Sequence, residues 1–362
     1  MKMTRLLLLT TAYVASAVTS QAQVAIHITG AVAFRGQTYS IIRALYDPGF
    51  AQNPTAGNPA NSNLVTWSGT ISSLFPGQNV TIYANYNGAV AGIQNLTQGT
   101  TATFLASTNA GNYTLTTNTA EIAFSSVFQA STPYTSPVLN DTIFGATPVY
   151  WVKSTNAPVG LTNITAQQVK ELLANGYLPA SYFTGKTNDY TNNIYFITRD
   201  TSAGQRVIAF RDAGFTGSPL AFVNNGTTWV SDPTGQTSST TIDTQLNKYG
   251  PAISYLTGPD AITVVTNGAT GGAILSYNGT LPFVGTTLSS DTNNYAPLIN
   301  GQYSLWGYEH LLSLPGTTGN TGKFLTNLQA QLLSTLTTYP YSVATNSLNV
   351  SRTSDGGLVS PR

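Results

Sequence analysis

Apolar residues follow two spacings along the chain, and each spacing predicts a different element. Residues 24–28 alternate and predict a strand, a Gly-bearing turn follows, and Phe34 to Leu45 has apolar positions near helical spacing. The pattern further predicts strands at 64–67, 80–86, 120–124, 148–152, 194–197, 261–265 and 272–277, and helices at 90–96, 166–174, 206–213, 308–314 and 324–336. Strands that alternate with helices in this way indicate an α/β fold.

The N-terminus has the pattern of a secretory signal. Lys2 and Arg5 give a positive start, residues 6–15 are mostly apolar, and small residues at 20 and 22 offer a cleavage site. The apolar run is short and interrupted by Thr, so it does not suit a membrane span. We predict a signal peptide at 1–22, a periplasmic or secreted protein, and no membrane span after cleavage.

Composition narrows the function classes. Cysteine is absent from the sequence, so it has no disulfide and no lipid-anchoring Cys after the signal. Charged residues are 7% of the chain, against about 25% in typical soluble proteins, and nothing indicates nucleic-acid binding. His27 and His310 lack Asp or Glu at ligand spacing, so we expect neither metal nor cofactor. A nucleophile elbow and paired carboxylates are missing, which disfavours an enzyme.

Three strand–turn–helix segments are candidates for a binding site. They are residues 29–35, 87–93 and 199–206. Ligands of α/β proteins bind where the carboxyl ends of strands feed helix N-termini, because the helix amides there are free to donate. We therefore expect these segments to gather at one crevice.

At these segments the chain resembles the phosphate-binding components of ABC transporters, which are type 2 periplasmic binding proteins. The similar segments are 29–34, 86–93, 121–126, 147–176, 199–205 and 303–309. The resemblance implies two α/β lobes with a hinge and an inter-lobe cleft, a small anion or polar solute as ligand, and an ABC-transporter permease as partner. Lobe one would comprise residues 23–146 and 296–362, and lobe two residues 147–295.

The resemblance also assigns ligand-contacting positions. They are Ala33, Phe34, Arg35, Gly88, Ala89, Ser125, Ser126, Arg199, Ser202, Gly204 and Gln205. Ala33 and Ala89 stand at positions where the family presents small polar residues, and Ser126 replaces its acid. Gln205 replaces a threonine, while Arg199 and Gly204 keep the pattern. An oxyanion needs many convergent donors, so the sequence predicts a degenerate phosphate site.

Each candidate has a second interpretation. Arg199 is equally well explained as an anion clamp or as a surface salt bridge, and we expect Arg35 on the solvated surface. The serines at 125, 126 and 202 also suit turns and helix caps. If the site has decayed, the alternative is a structural or surface-interaction protein that keeps the fold.

Overall fold

The structure is a computed structural model that describes residues 23–266, 272–289, 294–335 and 340–362. The predicted signal peptide lies outside the described residues. The strands are β1 (Gln23–Gly30), β2 (Ala51–Asn53), β3 (Leu64–Thr70), β4 (Asn79–Asn85), β5 (Thr101–Leu105), β6 (Leu115–Thr119), β7 (Ile122–Ser125), β8 (Asn140–Lys153), β9 (Asn163–Ile164), β10 (Tyr177–Pro179), β11 (Asn193–Phe196), β12 (Phe222–Asn224), β13 (Trp229–Ser231), β14 (Ala252–Thr257), β15 (Ala273–Ile274), β16 (Ser276–Tyr277), β17 (Trp306–Ser313), β18 (Val343–Ala344), β19 (Val350–Ser351) and β20 (Ser360–Pro361). The α-helices are α1 (Arg35–Leu45), α2 (Ala89–Gln98), α3 (Ala166–Asn175), α4 (Ser181–Thr184), α5 (Gly204–Asp212), α6 (Ser239–Lys248), α7 (Gly258–Thr266), α8 (Ala296–Ile299) and α9 (Gly319–Thr335).

One mixed sheet of twelve strands runs through the molecule. Its order is β10-β11-β14-β8-β17-β7-β1-β4-β3-β2, and β15 and β18 also pair with β8. β1 is parallel to β4 and β7, and β11 is parallel to β14. The long β8 is shared, because residues 140–148 pair with β17 and residues 149–153 pair with β14. We call the half with β1, β4, β7 and β17 lobe one, and the half with β11 and β14 lobe two.

Apolar side chains from both faces of the sheet form the core. In lobe one, Ile26, Ile82 and Phe124 are fully buried between the sheet and its helices. Trp67 and Trp151 are also fully buried. Burial of such side chains is the main favourable term in folding. Among the described residues, every helix is too short or too polar to traverse a lipid bilayer.

Most predicted elements are present, and two are of the other type. Residues 261–265, predicted as a strand, belong to α7, because Pro259 suits the first turn of a helix and Ala261 and Val264 form its buried face. Residues 308–314, predicted as a helix, lie mainly in β17. All eight residues of β17 are buried. A strand covered on both faces has no alternating pattern that distinguishes it from a buried helix.

The C-terminal segment, residues 340–362, contacts both lobes. Val343 pairs with Ala146 of β8. Arg352 donates to the carbonyl oxygen of Trp306, and its guanidinium lies 4.1 Å from the centre of that indole ring. Gly356 lies directly against the backbone of Arg211 in α5. The segment therefore ties α5 of lobe two to β17 and β8.

Candidate functional site

The turns of lobe one meet at one edge of the sheet. The amide of Gly30 donates to Asn87 Oδ1 at 3.2 Å, and the amide of Gly88 donates to the Gly30 carbonyl at 2.8 Å. Ala31 N donates to the Phe124 carbonyl at 2.9 Å. A Cβ at Gly30 would lie 2.0 Å from that carbonyl oxygen, and φ there is +121°, so only glycine fits. The ends of β1, β4 and β7 are thereby fixed beside one another.

Lobe two packs directly onto these turns. The amide of Val90, in the first turn of α2, donates to the Ser202 carbonyl at 3.0 Å. A Cβ added at Gly204 would lie 2.1 Å from Ser126 Oγ and 2.8 Å from Ala89 Cβ. The structure thus brings the predicted ligand contacts Ala89, Ser126 and Gly204 together, but they touch one another directly. The contact between Gly204 and the pair Ala89 and Ser126 leaves no space for an oxyanion between them.

The neighbouring predicted contacts have structural partners. Ser125 Oγ donates to the Val127 carbonyl at 2.7 Å and accepts from Val127 N at 3.1 Å, as a turn residue does. Phe34 is fully buried, and its ring packs edge-on against Phe124 with centroids 6.3 Å apart. Ala33 is buried in the same core. These three side chains therefore support the turns rather than facing solvent.

Arg199 is almost fully buried, at 2% exposure. Its Nε donates to the Gln236 carbonyl at 3.0 Å, and its two terminal nitrogens donate to Ser239 Oγ at 2.9 Å and the Thr237 carbonyl at 3.3 Å. Gln205 Nε2 also reaches Ser239 Oγ, at 3.5 Å. A guanidinium has five N–H groups, so these bonds fix its orientation and leave donors for a ligand. The alternative of a surface salt bridge is wrong in its exposure, because Arg199 is buried, but the side chain does lie 3.9 Å from Asp200 Oδ1.

A small polar pocket lies where Arg199 meets lobe one. Its volume is about 270 Å³, and it is lined by Val32, Arg35, Asn61, Asn63, Tyr86, Asn87, Arg199, Thr237, Ser238, Ser239 and Thr240. Ser238 caps α6 by accepting from Thr241 N at 3.2 Å, so the N-terminus of this ten-residue helix borders the pocket. A helix N-terminus and two guanidinium groups all favour negative charge. The pocket can therefore hold a small anion.

Arg35 is part of this pocket, so our expectation of a solvated side chain is wrong. Its side chain is only 14% exposed. One terminal nitrogen donates to Asn63 Oδ1 at 2.8 Å, and the other lies 3.4 Å from Asp260 Oδ1 of α7. Its buried Nε has no hydrogen-bond partner among the described residues. Arg35, at the start of α1 in lobe one, thus forms an ion pair with a carboxylate of lobe two.

A second carboxylate lies behind this ion pair. Asp243 of α6 is 7% exposed. Burial raises the pKa of its carboxyl to about 8, the Asp260 carboxylate adds to the rise, and the guanidinium of Arg35 opposes it. At neutral pH the Asp243 carboxyl is therefore mostly protonated, and Arg35 faces a single negative charge.

Sequence reasoning missed the α6 side of the pocket. The helix was not predicted, although Ser238 is a typical N-cap and the buried Ile242 and Leu246 are spaced four residues apart. Asn63, which accepts a hydrogen bond from Arg35, lies outside every element that the sequence predicts. These two contributions come from positions distant in the chain, so no local pattern joins them to Arg35.

Two larger cavities lie nearby and have a different character. One, of about 610 Å³, is lined by α5 and the C-terminal segment. Its Arg206 already donates to Thr198 Oγ1 and the Arg199 carbonyl, and its guanidinium lies 4.9 Å from the centre of the Phe210 ring. The other, of about 370 Å³, runs along α2 past Ser202. The polar pocket is thus better suited to a small anion.

Comparisons with known proteins bear on the fold. No family model and no curated protein matches the sequence. A protein from Clostridium perfringens, assigned as a phosphate ABC transporter substrate-binding protein and solved with bound phosphate, is 13% identical over 88% of this chain and 99% of its own, with a TM-score of 0.51. An ABC-type phosphate transport receptor from Vibrio cholerae is 14% identical over 85% and 97%, with a TM-score of 0.46. At this identity the first likeness establishes the fold, a two-lobed type 2 periplasmic-binding-protein fold.

Proposed function

We propose that the protein is an exported solute-binding protein that holds a small anion between its lobes, in the pocket flanked by Arg35 and Arg199. One observation carries this proposal: each lobe supplies a guanidinium to the same polar pocket, almost fully buried for Arg199 and partly buried for Arg35. A water molecule occupies about 30 Å³, so a pocket of about 270 Å³ suits an anion the size of phosphate, sulfate or a short carboxylate.

The pocket would favour the closed arrangement of the lobes. An anion bound there contacts Arg35 of lobe one and Arg199 of lobe two at the same time, so it binds the closed state more tightly than an open one. A ligand shifts a conformational equilibrium by its difference in affinity for the two states. We propose that the protein binds the anion in the periplasm and releases it, chemically unchanged, to an ABC-transporter permease.

The ligand site proposed shares Arg35 and Arg199 with the contacts that the family resemblance assigns, but it lies away from Ala89, Ser126 and Gly204. Beside those three residues the Val90 amide is already bonded to the Ser202 carbonyl, and Gly204 is in contact with Ser126. The hydroxyl groups of Ser238, Ser239 and Thr240 border the pocket instead. Hydroxyl donors therefore lie beside the guanidinium groups of the polar pocket.

A second candidate function rests on the same inter-lobe contact. Because the lobes bond directly at Val90 and Ser202, and the C-terminal segment ties α5 to β17, the closed form needs no ligand. The protein would then be a structural or surface-interaction protein that keeps a binding fold. The two candidates differ in one property, which is whether a small anion binds at all.

Calorimetry with phosphate, sulfate and acetate separates them. We expect saturable binding of one anion and a loss of about 10- to 100-fold in affinity for Arg35→Gln, since a hydrogen bond to a charged group contributes about 1.5–3 kcal/mol. Arg43→Gln is the matched control, because it removes the same charge from an exposed position of α1. Absence of heat with every anion at millimolar concentration would reject the binding function and favour the structural one.

A further inference from the structure

Three titratable residues from the two lobes lie behind the polar pocket. Arg35 begins α1 of lobe one, and Asp243 and Asp260 lie on α6 and α7 of lobe two. The guanidinium of Arg35 and the carboxylate of Asp260 are 3.4 Å apart, and their side chains are 14% and 8% exposed. The pair is therefore largely shielded from water and depends on the lobes being closed.

Asp243 is not a member of the ion pair between Arg35 and Asp260. Its Oδ1 is buried and has no hydrogen-bond partner in the described part of the chain. With both carboxylates ionised, a single guanidinium would face two negative charges in a poorly hydrated space. Like charges that share a site disfavour double ionisation, and burial disfavours the charged form further. A proton on Asp243 removes both the repulsion between the two carboxylates and the burial of a second negative charge. This agrees with the raised pKa of about 8 of the Asp243 carboxyl.

The other elements around Asp243 bring little compensating charge. β14, which packs beneath α6, contains no charged residue, and Asp260 is the only one in α7. On α6 itself, Arg199 is bonded to Ser239 in the first turn and Lys248 lies in the last turn, and Arg35 is the cation that acts on the Asp243 carboxyl. Arg35 is therefore the cation that the two carboxylates share.

We propose that closing the lobes takes up one proton at the Asp243 carboxyl, so that proton concentration regulates the anion pocket. Opening would withdraw Arg35 from Asp260 and admit water to α6. A hydrated carboxyl has an ordinary pKa near 4, so the proton is then released to solvent. The proton uptake follows from the charge arrangement alone, whereas its effect on a ligand rests on the proposed function.

The direction of the pH effect follows from linkage. Between about pH 4 and pH 8 the closed form holds a proton that the open form lacks, so raising the pH favours opening. One proton changes the closed-to-open ratio by at most tenfold per pH unit. Anion affinity depends on the fraction of closed protein, so it falls by at most the same factor.

The test uses sulfate, which stays fully ionised from pH 5 to pH 8. Calorimetry in buffers of different ionisation enthalpy measures protons taken up on binding. We expect uptake approaching one proton and affinity that falls with pH in the wild type, and neither in Asp243→Asn, which mimics the neutral acid. Glu171→Gln removes an exposed carboxylate of α3 in the same lobe and should keep the wild-type slope. A flat wild-type profile, or a slope retained in Asp243→Asn, overturns the proposal.

Two measurements need no ligand and separate this proposal from the proposed function. Small-angle scattering of the free protein should show expansion from pH 5 to pH 8 in the wild type and not in Asp243→Asn. Carbon NMR of the wild-type protein, with the aspartate signals assigned, should show that the Asp243 carboxyl titrates far above pH 4, even if the variant does not fold. If sulfate fails to bind but both results appear, only the anion function is wrong. If the Asp243 carboxyl titrates near pH 4, the proton coupling is wrong.

Discussion

Replacing Gly204 with alanine tests the direct contact between the lobes. Gly204 is the first residue of α5, where alanine has the better helix propensity. Any loss of stability must therefore come from the contact and not from the helix. The added Cβ would lie 2.1 Å from Ser126 Oγ and 2.8 Å from Ala89 Cβ, and real carbon contacts are near 3.5–4.0 Å.

The expected cost can be read from those distances. Inserting one methyl group into a tight contact costs about 1–3 kcal/mol, so Gly204→Ala should lower the free energy of unfolding by that amount or separate the lobes. Adding Ser126→Ala removes the nearer clash but leaves Ala89 Cβ, so the double variant should recover only part of the loss. Gly160→Ala is the control, because its nearest neighbour would be Thr184 Cγ2 at 3.7 Å.

Urea unfolding and small-angle scattering give the two readouts. We expect Gly160→Ala to stay within about 0.5 kcal/mol of wild type, as most surface changes do. A Gly204→Ala protein as stable and as compact as wild type would show that the lobes do not touch at this point. The site implied by the family resemblance would then be open to a ligand.

Two buried groups give the remaining predictions. Burial raises the pKa of the Glu309 carboxyl to about 8, and a hydrogen bond from Ser342 opposes the rise. Above about pH 4.5 the folded state therefore keeps a proton on Glu309 that the unfolded state has lost. The free energy of unfolding falls from that pH to pH 8 as a result. Glu309→Gln should therefore match wild type at pH 4 and exceed it by a few kcal/mol at pH 8 in urea unfolding; equal stability at both pH values would contradict this. Arg352→Met should cost about 2–4 kcal/mol by thermal unfolding, because it removes the donor to the Trp306 carbonyl and leaves the buried Asp212 carboxylate without its cation. A loss below about 0.5 kcal/mol would show that Arg352 does not hold the C-terminal segment in place.

The fold could be predicted where local signals are strong. Thr165 and Gln168 form a capping box at the start of α3, and the helix begins where the sequence indicates. The alternating residues of β1 and the turn at Gly30 likewise predict a strand that feeds a helix. The buried strands β14 and β17 lack alternation, because both faces are covered. Their identity depends on neighbours that the local sequence does not contain.

The site could be predicted only in part for a related reason. Arg35 and Arg199 were both candidates, because each lies at a turn that feeds a helix. What each one does is decided by distant partners: Asp260 and Asn63 fix Arg35, and the loop before α6 fixes Arg199. Departures from the family pattern predict fewer donors at the phosphate position, and the packing of Gly204 against Ser126, which the sequence does not indicate, adds a steric reason.

An anomalous-diffraction structure of crystals soaked in selenate would locate the bound anion without assumptions about affinity. Selenate has the charge and shape of sulfate, and its selenium atom marks the position directly. We expect a single peak between the guanidinium groups of Arg35 and Arg199, beside Ser239. A peak between Gly88, Ser126 and Gly204, in lobes that have moved apart there, would contradict it.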